Sequence, residues 1–421
     1  MATVTEAESP PLFADPRQRP FSPRQLLELD ACTRCGECLR ACDSFRVKDD
    51  EGVSLMGMIR RRRRLFHEDG SLLRRLFRRG DASEEEWLRY QEGVFACTLC
   101  GRCQSYCPVS IRTRDLAIPM RQELATGRCM LPPNLDRARD AVLEEGNIFG
   151  YPNDERALWA EFLDDLPADL LTKDHADVLY FVGCVSSFSP AVQEIPQAFL
   201  RVLLKAGVDV GLLAGKEWCC GFPLIAGGLA QDAERVIRHN IEEGVQRFGA
   251  KTVVFNCPSC YYAWRRYYPL EGVRLMHSSE FIAELVRSGQ LKFRTADVAV
   301  TYHDPCDLGR GLGVYDPPRE VLRALAGDAF VELAPSRERA VCCGGGGDVE
   351  MWDAQLVGQV NSTLTGALQD SGAQVVVQAC PQCKRITQRG LSAKGSDIRT
   401  MDIAEAALAY GVFSDGAAEP A

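Results

Sequence analysis

A chain of 421 residues, 46% hydrophobic and 25% charged, has the composition of a soluble globular protein and is long enough for two or three domains. Its net charge of −9, with no recognition motif beside its arginines, argues against nucleic-acid binding, and no run approaches the apolar length of a membrane span. Nineteen cysteines behind an acidic, proline-rich start with no apolar leader (MATVTEAESPPLFADPRQRP) point to a cytoplasmic chain whose thiols are metal ligands rather than disulfides.

The first block, to about residue 171, reads as helical. Ser22 and Pro23 can cap and start a helix over FSPRQLLELD, and Ser83 a second over SEEEWLRYQ, with acids in its first turn. Positive charge gathers at Arg60 to Arg64 and again in LLRRLFRR, residues 72–79. Such a run is either a solvated helix face or a dock for an acidic partner subunit or a membrane surface.

Two cysteine runs sit in this block. CTRCGECLRAC supplies Cys32, Cys35, Cys38 and Cys42; CTLCGRCQSYCP supplies Cys97, Cys100, Cys103 and Cys107. Both follow C-x₂-C-x₂-C-x₃-C, the bacterial ferredoxin run for a pair of 4Fe–4S cubanes. Three thiolates of each tight loop face one cluster and the fourth points at its neighbour. One cubane is therefore assigned to Cys32, Cys35, Cys38 and Cys107, the other to Cys97, Cys100, Cys103 and Cys42. Structural zinc sites do not repeat three cysteines at this pitch. Asp43 stands where a proline usually follows the run, which weakens the local turn and removes no ligand.

Beyond residue 171, short β-branched runs alternate with helical patterns. DVLYFVGC reads as a buried strand, IPQAFLRVLLKAG as an amphipathic helix closed by Gly207, AERVIRHNIEEGVQRFG as a further helix, and KTVVFNCPSC as a second strand. The order then recurs in VAVTYHDPC, PPREVLRALAG, AVCCGGGG, AQLVGQVNSTLTGALQDSG and QVVVQACPQC. Cys184 and Cys306 lie 122 residues apart; Cys219 and Cys342, Cys257 and Cys380, and Cys260 and Cys383 each lie 123 apart. The expected fold is thus α plus α/β. A helical two-cubane domain (1–171) precedes two tandem α/β domains (172–295 and 296–421), with ligands at the carboxyl ends of strands.

Each α/β copy carries five thiols: Cys184, Cys219, Cys220, Cys257 and Cys260, then Cys306, Cys342, Cys343, Cys380 and Cys383. Adjacent cysteines cannot form an ordinary disulfide with each other without strain, and five thiolates exceed the needs of a cubane. Side-by-side cysteines suit bridging between irons.

On these motifs the chain resembles the CCG-domain family. Over roughly residues 25–405 it resembles heterodisulfide reductase catalytic subunits that join a two-cubane domain to two CCG domains (the D subunit, or a B–C fusion). HDPCDLGRG, VCCGGGGD and NIFGYPNDERALW carry the likeness outside the cubane runs. The resemblance implies a noncubane 4Fe–4S cluster at each five-cysteine motif, flanking a site where a disulfide is cleaved.

Gly221, Gly344 and Gly345 are expected to bring backbone amides close to cluster sulfur, and His303 is a candidate proton donor to a departing thiolate. Gly344 to Gly347 lack the Lys-Ser/Thr of a P-loop, and no flavin or nicotinamide fingerprint is present. Cys129 is expected to be a buried bystander thiol. The expected function is an iron–sulfur oxidoreductase subunit, acting within a complex, that passes electrons through the cubanes to reduce a disulfide-type substrate. Its partners would be a flavoprotein, or a membrane cytochrome or quinone-linked subunit that could hold it at the cytoplasmic face. The alternative is a non-catalytic relay to quinone, serving a flavin-dependent glycolate, lactate or glycerol-3-phosphate dehydrogenase. A purely structural cluster-bearing scaffold is a third reading.

Overall fold

In a computed structural model, residues 20–66, 82–161 and 163–413 are described; the first nineteen residues and LLRRLFRR lie outside them. The N-terminal part is helical, as expected: α1 (Pro23–Asp30), α2 (Glu37–Ala41), α3 (Asp43–Lys48), α4 (Leu55–Leu65), α5 (Glu84–Phe95), α6 (Thr113–Ala125) and α7 (Pro133–Glu145). Ser22 and Ser83 each close a capping box, with Gln25 and Glu86 reaching back to the cap amide. Phe21, Leu29, Ile59, Trp87, Tyr90, Leu116 and Met120 form its core. The two ferredoxin loops repeat one backbone course. Arg34 and Leu99, each two residues after the first cysteine of its run, adopt φ of 60° and 53°, and Gly36 and Gly101 follow at 81° and 71°.

Each later half is a four-stranded parallel sheet. Its central strands are buried on both faces, as continuous apolar runs require. In the first half β1 (Val178–Phe181), β2 (Val210–Gly211), β3 (Thr252–Phe255) and β4 (Arg274–His277) lie in the order β2-β1-β3-β4. After β5 (Leu291–Phe293), the second half repeats the plan: β6 (Val300–His303), β7 (Phe330–Glu332), β8 (Val375–Gln378) and β9 (Arg399–Asp402) lie in the order β7-β6-β8-β9. β10 (Gly411–Phe413), at the end of the second half, pairs antiparallel with β5. The helices Glu194–Lys205 and Ile403–Tyr410 pack together, as do Ser278–Arg287 and Asp316–Ala326. The longer helix after the first strand of each half therefore packs on the helix after the last strand of the other, and the cysteine-bearing ends of both sheets line one cleft.

Three local readings change. AERVIRHNIEEGVQRFG is α-helical only over Ala230–Asn240 and continues as a π-turn, Ile241–Arg247. Arg60 to Arg64 are not one uniformly solvated face: Arg60 and Arg64 stay exposed while Arg62 does not. Each meets an acid of this chain: Glu51, Asp50, Glu123, Asp30 and Glu86 in turn, at 2.5–3.2 Å, and Arg62 is buried. Cys129 is exposed rather than buried, because α6 ends at Ala125 and the chain turns out through a left-handed residue at this position. Among the described residues no helix is long and apolar enough to cross a membrane.

Candidate metal centres and the cleft between them

The eight N-terminal cysteines separate into the two expected sets. Cys32, Cys35, Cys38 and Cys107 ring one cavity with Met56 and Val109. Cys42, Cys97, Cys100 and Cys103 ring another, nearer the α/β halves, with Thr98 and Thr113. The outer set is open to solvent at Cys35. The inner set is supported by polar partners: Cys42 Sγ accepts from the Phe45 amide at 3.4 Å, and Cys103 Sγ lies 2.9 Å from Thr113 Oγ1.

The inner cavity also contains Cys342. Cys342 pushes the neighbouring Cys100 thiol well above its usual range, and Cys342 Sγ lies 3.4 Å from Thr98 Oγ1. Asp43, the residue that breaks the ferredoxin motif, accepts from Arg102 at 3.0 Å and from the Cys342 amide at 3.4 Å. Arg310 ties the same boundary, donating to the carbonyls of Cys100 and Ala340. Arg121, fully buried on α6, donates to the carbonyls of Val94, Cys97, Ala226 and Gly347.

The other nine thiols of the two copies line a single cleft of about 370 Å³ between the halves. The CC loops are built alike. Gly221 (φ 80°) and Phe222 direct amides at Cys219 and Cys220; Gly344 (φ 89°) and Gly345 do so at Cys342 and Cys343. A side chain at Gly344 would meet the Val357 carbonyl at 2.6 Å, so the close approach requires glycine. An asparagine braces each CC loop, Asn240 donating to the carbonyl of the first cysteine, Cys219, and Asn361 to that of the second, Cys343. Phe149, Tyr151 and Phe188 stack at centroid distances of 5.8–6.1 Å, and Phe149 reaches the cleft.

Electrostatics distinguish the sulfurs. Hydrogen bonding to Cys219, together with burial, pushes the Cys184 thiol well above the usual range, and burial with the neighbouring Asp307 does the same to Cys306. The second cysteine of each pair runs the other way. Hydrogen bonds from Cys219 and Cys260 hold Cys220 down, and those from Cys342 and Cys383 hold Cys343 down. Cys343 and Cys383 sulfurs lie 3.3 Å apart. Among the described residues, no three His, Cys, Asp or Glu side chains close on a point that a single ion could fill; the sulfurs instead ring wider spaces. Crowded, desolvated thiols with amides aimed at them fit a multi-iron cluster, whose positive charge would keep them deprotonated.

The sequence assigns no role to several charged residues of the site. Arg156 is buried, donates to Glu217 at 2.9 Å, and lies 3.6 Å from Cys184 Sγ, while Glu217 accepts from the amides of Val182 and Gly183. Arg114 joins Asp307, which also accepts from Ser259. Arg114 and Arg121 lie outside every sequence motif, and only chain crossings bring them to the thiols.

His303 does not reach the cleft. Its Nε2 faces the Val341 carbonyl at 3.0 Å and its Nδ1 faces Gln378 Nε2 at 3.1 Å, and burial lowers its basicity. Both ring nitrogens are occupied in holding the strand end, so the structure offers no proton from His303 to a substrate.

A family model of the CCG cysteine-rich domain matches residues 178–265 and 300–386, and one of the 4Fe–4S dicluster domain matches 28–111. The D subunit of the dihydromethanophenazine:CoB–CoM heterodisulfide reductase of Methanosarcina barkeri is 33% identical over 90% of this chain and 93% of its own. The chain belongs to the family of heterodisulfide reductase D subunits. The EtfAB:quinone oxidoreductase of Syntrophomonas wolfei is 29% identical over 96% of this chain, which spans 60% of that longer protein. Among solved structures, glutamate racemase RacE1 of Bacillus anthracis overlays 56% of this chain and 80% of its own at a TM-score of 0.31 and 13% identity, a likeness too slight to bear on function. As a member of this family the chain is an iron–sulfur protein of the oxidoreductase class, with both CCG motifs complete in their cysteines.

Proposed function

We propose that this chain is the catalytic iron–sulfur subunit of a complex that reduces a disulfide-type substrate in the cleft between the CCG copies, with electrons arriving from a partner through the two ferredoxin-type centres. The observation that carries the reading is the convergence of nine CCG thiols, from both copies, on one cleft. A substrate with two adjacent sulfurs could there meet both sites at once. Clusters bound by the eighteen motif cysteines, two cubane and two noncubane, would supply one-electron steps and iron to which sulfur binds.

The chain's own residues set the conditions. The amides of Gly221, Phe222, Gly344 and Gly345 direct hydrogen bonds at the paired sulfurs, an arrangement that raises reduction potential. Arg156 places positive charge beside Cys184. Phe149, Phe222 and Pro258 make the cleft wall apolar and limit water. The exposed Cys35 loop offers an outer face for a redox partner, and the inner set abuts the second copy through Cys100 and Cys342.

The relay reading keeps one specific support, the similarity to the EtfAB:quinone oxidoreductase along nearly the whole chain. Iron counting and electron paramagnetic resonance on anaerobically purified, oxidised protein separate the two. Full occupancy predicts about 16 iron per chain. A paramagnetic species that appears only on adding thiol supports substrate sulfur binding in the cleft. Full iron with no thiol-dependent signal moves the function to a relay between a flavoprotein and quinone.

A further inference from the structure

Three acids line the cleft, Asp307, Asp348 and Glu350, and no histidine, lysine or tyrosine does. Asp307 is engaged by Arg114 and Ser259. Glu350 is engaged by Arg385, Gln382 and Arg389. Asp348 differs from both. Its Oδ2 is buried and accepts no hydrogen bond among the described residues. Its backbone is left-handed, φ 57° and ψ 16°, at the start of the short helix Val349–Trp352, and its side chain makes no cap there. A non-glycine residue held in this conformation, with an unpartnered carboxyl oxygen at a cavity wall, is spending conformational energy on something other than packing.

We propose that the Asp348 carboxyl is a catalytic residue that exchanges a proton with substrate sulfur in the cleft, an inference that rests on the disulfide-reducing reading above. Reduction of R–S–S–R′ takes up two electrons and two protons, breaks the S–S bond and forms two S–H bonds. The electrons come from the low-potential donor that feeds the chain. One proton passes from Asp348 to a departing sulfur, and the carboxylate is reloaded from solvent through the cleft; the second proton comes from solvent directly. In reverse, the carboxylate takes the proton of an entering thiol.

The surroundings suit that exchange. Burial pushes the carboxyl up to about 7, against the pull of Arg121 on α6 and with the support of Asp307 from the loop after β6. Glu350 on its own helix and Arg385 on the facing helix Pro381–Ala393 line the same cleft and are paired with each other. A donor poised near the working pH is the most effective general acid.

The test uses the cluster-loaded chain and its Asp348→Asn variant, which preserves shape and tolerates the left-handed backbone. Two probes are followed across neutral pH at equal iron content. The first is 2-mercaptoethanol binding to oxidised protein, read by paramagnetic resonance. The second is reduction of hydroxyethyl disulfide by a reduced viologen. In the wild type, the rate of thiol binding should rise and that of disulfide reduction should fall as the pH passes up through about 7, because the carboxylate accepts and the carboxyl donates the proton. D348N should lack both pH breaks, and its disulfide reduction should fall about 100-fold. Asp348→Gly, which relaxes the backbone, should behave as D348N does. Identical pH breaks and rates in wild type and D348N overturn the assignment of Asp348 alone. A fully iron-loaded wild type that neither binds thiol nor reduces disulfide overturns the disulfide-reducing reading, and this inference with it.

Discussion

Cys100 and Cys342, 242 positions apart in the chain, line one cavity at the boundary between the ferredoxin-type domain and the second CCG copy. The corresponding residue of the first copy, Cys219, instead lines the cleft with Cys184 and Cys220 of its own set. Two sequence-equivalent motifs are therefore structurally unequal. Among the described residues, the second copy places a cysteine, Cys342, in the inner ferredoxin cavity and the first copy places none.

That inequality gives a ligand prediction with two arms. Cys219→Ala and Cys343→Ala should each lower the iron content by about 4 per chain while sparing the cubane signals. Only Cys343→Ala should also shift the position of those signals, since its site borders the inner set. Unchanged iron in both variants would defeat the ligand assignment.

Asp43→Ala removes the partner of buried Arg102 and the acceptor of the Cys342 amide. Breaking a buried ion pair from one side costs about 3–5 kcal/mol. Asp43→Pro, which restores the usual ferredoxin residue, should destabilise as strongly, since proline can accept neither bond. Chemical denaturation of the loaded protein measures this; a wild-type midpoint for Asp43→Pro would mean the boundary does not depend on the carboxylate.

Arg156→Gln should weaken the first copy selectively. It strands the buried Glu217 carboxylate and withdraws positive charge from Cys184. The expected result is loss of about 4 iron per chain at the first site with the second intact. Arg156→Lys should not rescue it fully, because one ammonium cannot reproduce the guanidinium's fork to Glu217, Cys184 and the Gly146 carbonyl. Equal iron loss from both copies would contradict the assignment.

His277 supplies a pH dependence. Its Nδ1 accepts from the Ser279 amide at 3.2 Å as the cap of Ser278–Arg287, its Nε2 faces the Asn256 carbonyl, and burial lowers its pKa to about 4. The folded chain therefore holds the neutral ring while the unfolded chain protonates it near 6.5. Stability from this residue is complete above about pH 6.5 and is lost as the pH falls towards 4, by up to about 3 kcal/mol. His277→Asn retains a capping side chain and should unfold with a shallower dependence between about pH 5 and 7. Parallel curves for the two proteins would show that the ring does not govern this limb.

The sequence by itself determined most of the elements and the cysteine pattern, for physical reasons that are local. Capping boxes at Ser22 and Ser83, continuous apolar strands and ferredoxin spacing all act within a few residues, and the 122–123-residue offset duplicates one such pattern. Tertiary structure alone decided what those ligands face. Cys342 turns from the cleft towards Cys100, and Asp43 becomes a bridge rather than a flawed turn. His303 is occupied by the Val341 carbonyl and Gln378, and Asp348 is left with an unpartnered oxygen at the cleft wall. None of these follows from spacing, because each depends on desolvation and hydrogen-bond competition between segments tens to hundreds of residues apart.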